Sequence, residues 1–138
     1  MFRTLVEIES LEKAASGAIW GNVWHEFDGQ YFPHWRWNDM VIPYFTALAQ
    51  GAGNAIDGHR VQAMFFDGPF SIEIVPESGS LQLVPQGASG VPACAIESAT
   101  LSSSVVDTGL LLLEACERSG WADDNDVRQL KAALRRLS

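Results

Sequence analysis

RVQAMFFDGPFSIEIVPESGSLQLV, residues 60–84, carries the pattern that decides the fold. Residues 60–66 read as a strand, and Asp67-Gly68-Pro69 as the turn after it. Residues 70–75 form a second strand, with Phe70, Ile72 and Ile74 on one face because strand side chains alternate. Glu77-Ser78-Gly79-Ser80 is a hairpin connection, and residues 81–84 are a third strand. Short connections between successive strands leave no room for a crossover helix. The sheet is therefore an antiparallel β-meander.

Working outward, residues 85–92 hold two prolines and two glycines and read as a loop, after which residues 93–97 return to the sheet. On the N-terminal side, residues 4–10 read as a strand and residues 11–15 as a short helical turn. Residues 18–27 alternate clearly: Ile19, Val23 and Phe27 share one face, and Trp20, Asn22, Trp24 and Glu26 share the other. Asp28-Gly29 closes that strand. Asn38 or Asp39 is placed to cap a helix whose stripe is Met40, Val41, Tyr44, Phe45 and Leu48, with Gly51 and Gly53 as its stop. Ser102–Ser104 are suited to cap a second helix running to about Arg118. Asp123 or Asp124 is suited to cap a third, where Val127, Leu130, Leu134 and Leu137 repeat at three and four. The expected fold class is α+β: a mostly antiparallel sheet with about three helices packed against it, as one domain over residues 1–138.

Of the 138 residues, 47% are hydrophobic and 19% charged, which excludes intrinsic disorder. The longest strongly apolar run, Leu110–Leu113, is far short of a membrane span. Glu7, Glu9 and Glu12 stand where a secretion signal would be apolar, so the expectation is a cytoplasmic protein without a membrane partner. Cys94 and Cys116 are then expected to be free thiols. The net charge of −8 repels phosphate backbones and argues against direct nucleic-acid binding. No Lys or Arg lies between Arg60 and Arg118, an interval with seven acids. It reads either as ordinary solubilising charge or as an acidic face for a basic protein.

No residues are spaced for chemistry. His25, His34 and His59 are scattered, and neither cysteine has a ligand partner at zinc spacing. Gly51-Ala52-Gly53 follows a helix rather than a strand, unlike a dinucleotide fingerprint. The expectation is no enzyme, no metal and no cofactor. The strongest local signal is aromatic: Trp20, Trp24, Phe27, Tyr31, Phe32, Trp35 and Trp37 fall within 18 residues. Buried, they build a core; partly exposed, they anchor a partner. The partner-binding candidates are Asp67, Glu73 and Glu77 from the acidic interval, with Trp20, Trp24 and Glu26 from the aromatic strand.

Two stretches also resemble a known group of proteins. Tyr31-Phe32-Pro33-His34-Trp35-Arg36-Trp37-Asn38-Asp39 leads into an apolar helix, and Phe65-Phe66-Asp67-Gly68-Pro69-Phe70 leads into a strand. Both look like the small immunity proteins of bacterial polymorphic-toxin and contact-dependent growth inhibition systems, over about residues 20–76. The matching positions are Phe32, Pro33, Trp37, Asp39, Asp67, Gly68 and Pro69. The resemblance implies a non-enzymatic, cytoplasmic toxin inhibitor that binds one cognate toxin domain. With the acidic charge, the expected partner is basic and nuclease-like. Two alternatives stay open: a small-molecule-binding or catalytic domain with a sheet–helix pocket near Trp20 and Trp24, and an oligomeric structural subunit using the Leu110–Leu113 face.

Overall fold

The computed structural model describes residues 1–138 and has the α+β composition expected. Its eight strands divide into two antiparallel sheets rather than one. The first contains β1 (Phe2–Lys13), β2 (Ile19–Phe27), β3 (Gln30–Phe32) and β4 (Asn38–Asp39), with β2 central and both β3 and β4 on its far side from β1. The second is the meander β5 (Val61–Met64), β6 (Ser71–Glu77), β7 (Ser80–Gln86) and β8 (Cys94–Ile96), in that order. The helices are α1 (Val41–Ile56), α2 (Ser98–Arg118) and α3 (Asn125–Leu137). Helix α1 packs against β2 of one sheet and against β5 and β6 of the other, and so bridges the two.

The meander follows the alternation in the sequence. Ile72 and Ile74 of β6, with Leu81 and Leu83 of β7, are 0–2% exposed, while Glu73 points the other way and is half-buried. Tyr44, Phe45 and Leu48 of α1 meet this face and the inner face of β2 within a core of 28 buried residues. Each such side chain stabilises the fold by roughly 1.5–3 kcal/mol of apolar burial.

Four local expectations are corrected. Residues 11–15 are no helical turn; β1 runs on to Lys13 across a bulge between Glu7 and Glu12. There the Ser10 hydroxyl fills the broken ladder, accepting from the Asn22 N–H at 2.8 Å and donating to the Glu7 carbonyl at 2.6 Å. Asn38 and Asp39 do not cap α1; they form β4 opposite Asn22 and Gly21, and the helix starts after Met40 without a side-chain cap. Gly51 and Gly53 do not end α1. Gly51 lies where the helix crosses the second sheet, its Cβ position 3.5 Å from Val61 and 3.8 Å from Ile74. The stop comes after Ile56, with Gly58 at φ +100°. Helix α2 begins at Ser98, ahead of the serines expected to cap it.

Helix α2 is also the one helix long and apolar enough, by length and composition, to cross a membrane. Its Leu101, Val105, Leu112 and Cys116 are buried in the core of this domain. Cys94 and Cys116 are buried free thiols, and burial, then the Asp124 charge, pushes Cys116 up to about 11.

Candidate functional site

The residues of the two motif stretches meet where the sheets join, and Asp39 is at the centre. Its carboxylate is fully buried and accepts four N–H groups. Oδ1 takes the backbone N–H of Met40 at 2.6 Å and of Phe66 at 3.2 Å; Oδ2 takes Trp37 Nε1 at 3.0 Å and the Asp67 N–H at 3.1 Å. A buried carboxylate is tolerable when N–H dipoles replace its water in this way. The turn at 65–70 is thereby fastened to the start of α1.

Aromatic packing completes the joint. Phe70 meets Trp37 edge-on with centroids 5.1 Å apart, and Phe32 and His34 also contact Phe70 at right angles. The Gly68 Cα, at φ +74°, leaves only 3.2 Å between a Cβ position and Trp37. The peptide bond between Phe32 and Pro33 is cis. Phe32, Pro33, Trp37, Asp39 and Gly68 are thus framework. Of the motif positions, only Asp67 carries an exposed ionisable side chain.

A second buried polar group lies inside the first sheet. His25 is fully buried, with Nδ1 3.0 Å from Thr4 Oγ1 and Nε2 2.6 Å from the Tyr44 hydroxyl. Burial lowers the imidazole to about 3, so it is neutral at ordinary pH. Burial and then the Asp39 charge push the Tyr44 phenol well above its usual range. The sequence offered no sign of this pair, because His25 sits on the core face between apolar neighbours.

The outer face of the first sheet is different in kind. Register places Arg3 beside Glu26, Leu5 beside Trp24 and Glu7 beside Asn22, with Tyr31 and Asn38 continuing the rows. A polar ladder crosses these strands. Asn38 donates to Asn22 Oδ1 at 3.0 Å, Asn22 donates to Glu7 Oε1 at 3.0 Å, and Arg36 Nε reaches the same oxygen at 2.5 Å. The Arg36 bond, then the Asn22 bond, holds the Glu7 carboxyl below its usual range. Arg36 has φ +57°, a costly conformation outside glycine, and its guanidinium lies 5.5 Å from the Trp35 ring centroid. Trp35 is 63% exposed and Tyr31 48%.

The six sequence candidates do not form one patch. Trp20, Trp24 and Glu26 lie on this outer face. Trp20 is half-buried and lines a cavity of about 260 Å³ with Ser10, Glu12, Ala14 and Asn38. Trp24 is 7% exposed, and its Nε1 has no hydrogen-bond partner. It is therefore no exposed anchor in this conformation. Asp67 is exposed at the joint, and Glu77 is exposed at the hairpin tip of the other sheet. Glu73 is held by Arg60 through two bonds of 2.9 and 3.0 Å, which lower its carboxyl below the usual range. Counting charges along the chain missed this, because Arg60 stands just outside the basic-free interval and pairs across strands. Sequence reading placed Tyr31 and Trp35 in the aromatic cluster but did not nominate them, or Arg36 between the motif tryptophans, as partner-binding residues. Comparison with models of known protein families, with curated proteins and with solved structures gives no match to this chain.

Proposed function

We propose that this chain is a non-enzymatic, cytoplasmic immunity protein that binds a cognate bacterial toxin domain and occludes it. The observation that carries the reading is the exposed aromatic residues Tyr31 and Trp35, with Trp35 under the guanidinium of the Arg36–Glu7 bridge. Trp, Tyr and Arg are the side chains that dominate protein interfaces, and here the hydrogen-bond ladder fixes Arg36, whose guanidinium lies over the Trp35 ring, before any partner arrives. The charge of −8 favours a basic partner, such as the nucleic-acid-binding surface of a nuclease. Asp67 and Glu77, both exposed, are the acids best placed to steer it, whereas Glu26 is half-buried beside Arg3.

The test is whether a toxin domain is encoded directly upstream of this chain's gene, followed by co-expression of that domain with the chain. Cells carrying both are expected to grow, and cells carrying the toxin domain with a Trp35→Ala, Tyr31→Ala double variant are expected to grow poorly. Unrescued growth with the unaltered chain would overturn the immunity reading. Full rescue by the double variant would overturn the assignment of this face.

A further inference from the structure

Strand β1 is an edge. It pairs with β2 alone, and no backbone hydrogen bond from any other segment reaches its outer side. The register fixes which groups are free. Asp28 donates to the Met1 carbonyl, and Ser10 bridges the Asn22 N–H to the Glu7 carbonyl, so the odd-numbered residues of β1 point their backbone at β2. On β2, Val23 donates away from β1, to the Trp37 carbonyl at 2.7 Å. In an antiparallel ladder successive residues alternate direction. Along the regular ladder from Phe2 to Glu7, Phe2, Thr4 and Val6 therefore aim their N–H and C=O groups out of the sheet. Such a row is a template for another strand.

We propose that this edge pairs with the same edge of a second copy of the chain, as an antiparallel two-fold dimer centred on Leu5. That register is self-complementary. It sets Thr4 opposite Val6 twice as hydrogen-bonded pairs, with Phe2 reaching Ile8 where the bulge begins. It sets Leu5 against Leu5, and Arg3 against Glu7 twice, at the closer non-hydrogen-bonded positions. The charged side chains have capacity for it. Arg3 is exposed and its one ionic partner, Glu26, is 3.8 Å away. Glu7 uses Oε1 for Asn22 and Arg36, while Oε2 has no partner. A two-fold axis normal to the sheet keeps both helix layers on one side. The helix bordering the joint is α2, which packs against β1 and leaves Leu110 and Leu111 52% and 56% exposed. Other registers are worse: centring on Val6 sets Glu7 against Leu5 and leaves Arg3 opposite Glu9 in the bulge, centring on Glu7 sets it against itself, and centring on Ile8 sets Glu7 against Glu9.

Sedimentation velocity of the full chain, between about 1 and 100 µM, tests the pairing. The unaltered chain is expected to dimerise with rising concentration. Arg3→Glu leaves two acids at the paired positions, and Glu7→Lys leaves two cations, so each variant repels its own copy. Each is expected to raise the dissociation constant at least about tenfold. An equimolar mixture of the two restores complementarity and is expected to dimerise again. Val6→Pro removes an N–H that the chain's own sheet does not use, and serves if Glu7→Lys fails to fold. It too is expected to be monomeric, with an unchanged circular dichroism spectrum. A chain that stays monomeric throughout, or a dimer as tight in all three variants, would overturn the proposal. Neither result bears on toxin neutralisation, which is scored by cell growth.

Discussion

A carboxylate whose two oxygens are engaged by four N–H groups acts as a cross-link, and Asp39 joins a turn of one sheet to the helix start beside the other. Asp39→Ala leaves those donors buried without an acceptor. It is expected to cost roughly 3 kcal/mol or more in urea unfolding; a loss under about 1 kcal/mol would show that the joint does not depend on it. His25 makes a pH-dependent contribution. Its folded value is about 3 against an ordinary 6.5, so as pH falls below 6.5 the unfolded chain takes up a proton that the folded chain refuses. Stability is then full above about pH 6.5 and is lost as pH falls toward 3. The slope is roughly 1 kcal/mol per pH unit between about pH 6 and 5. Glu7 and Glu73, both lowered from 4.5, add to the slope with the same sign, but mainly below about pH 5. In denaturant titrations across it, His25→Gln is expected to flatten the slope; an unchanged slope would assign it to another group.

At the scale of the element, glycines inside helices separate two physical situations that look alike in sequence. Gly53 of α1 has nothing nearer its Cβ position than Leu137 Cδ1 at 4.0 Å. Gly53→Ala should stabilise the protein by about 0.5–1 kcal/mol, because only the entropic cost of glycine is removed. Gly109 of α2 lies against α3, with Leu134 Cδ1 at 2.5 Å and Cδ2 at 2.7 Å from the Cβ position. Leu134 is 3% exposed and has little room to retreat. Gly109→Ala should destabilise by about 1–3 kcal/mol through overpacking. Thermal unfolding of the two variants should move in opposite directions, and a shared sign would refute this account of the α2–α3 crossing.

At the scale of the whole molecule, the two sheets expose different chemistry. The first offers aromatic rings over a fixed polar ladder. The second offers charge, and there the three nominated acids separate. Reversing Asp67 and Glu77 to Lys removes steering charge from exposed sites, so association with a basic toxin domain should slow while unfolding stability holds. Reversing Glu73 instead sets Lys beside Arg60 and should disturb the edge of the sheet as well. Raising salt should lower the association rate of the unaltered chain far more than that of the Asp67→Lys, Glu77→Lys variant. Equal salt dependence of both would discard the acidic face and leave the aromatic face as the whole interface.

Local patterning determined much of this protein by itself. Alternation around Ile72 and Ile74, glycine-containing turns at 67–69 and 77–80, and the three-and-four repeat of Val127, Leu130 and Leu134 each depend on neighbours within a few residues, and each element lies where its pattern predicts. The tertiary structure decided whatever depends on a partner distant in the chain. Asp39 suits a helix cap when only the next four residues are considered, yet it bonds to Phe66 and Asp67, 27 and 28 positions away. Trp24 lies on the strand row opposite the core residues Val23 and Phe27, and alternation alone leaves its exposure open, yet it is buried. Glu73 sits in a run without bases, yet a neighbouring strand brings it Arg60. Charge pairing, burial and strand-edge exposure are properties of which surfaces meet, and hydrophobic period carries no record of that.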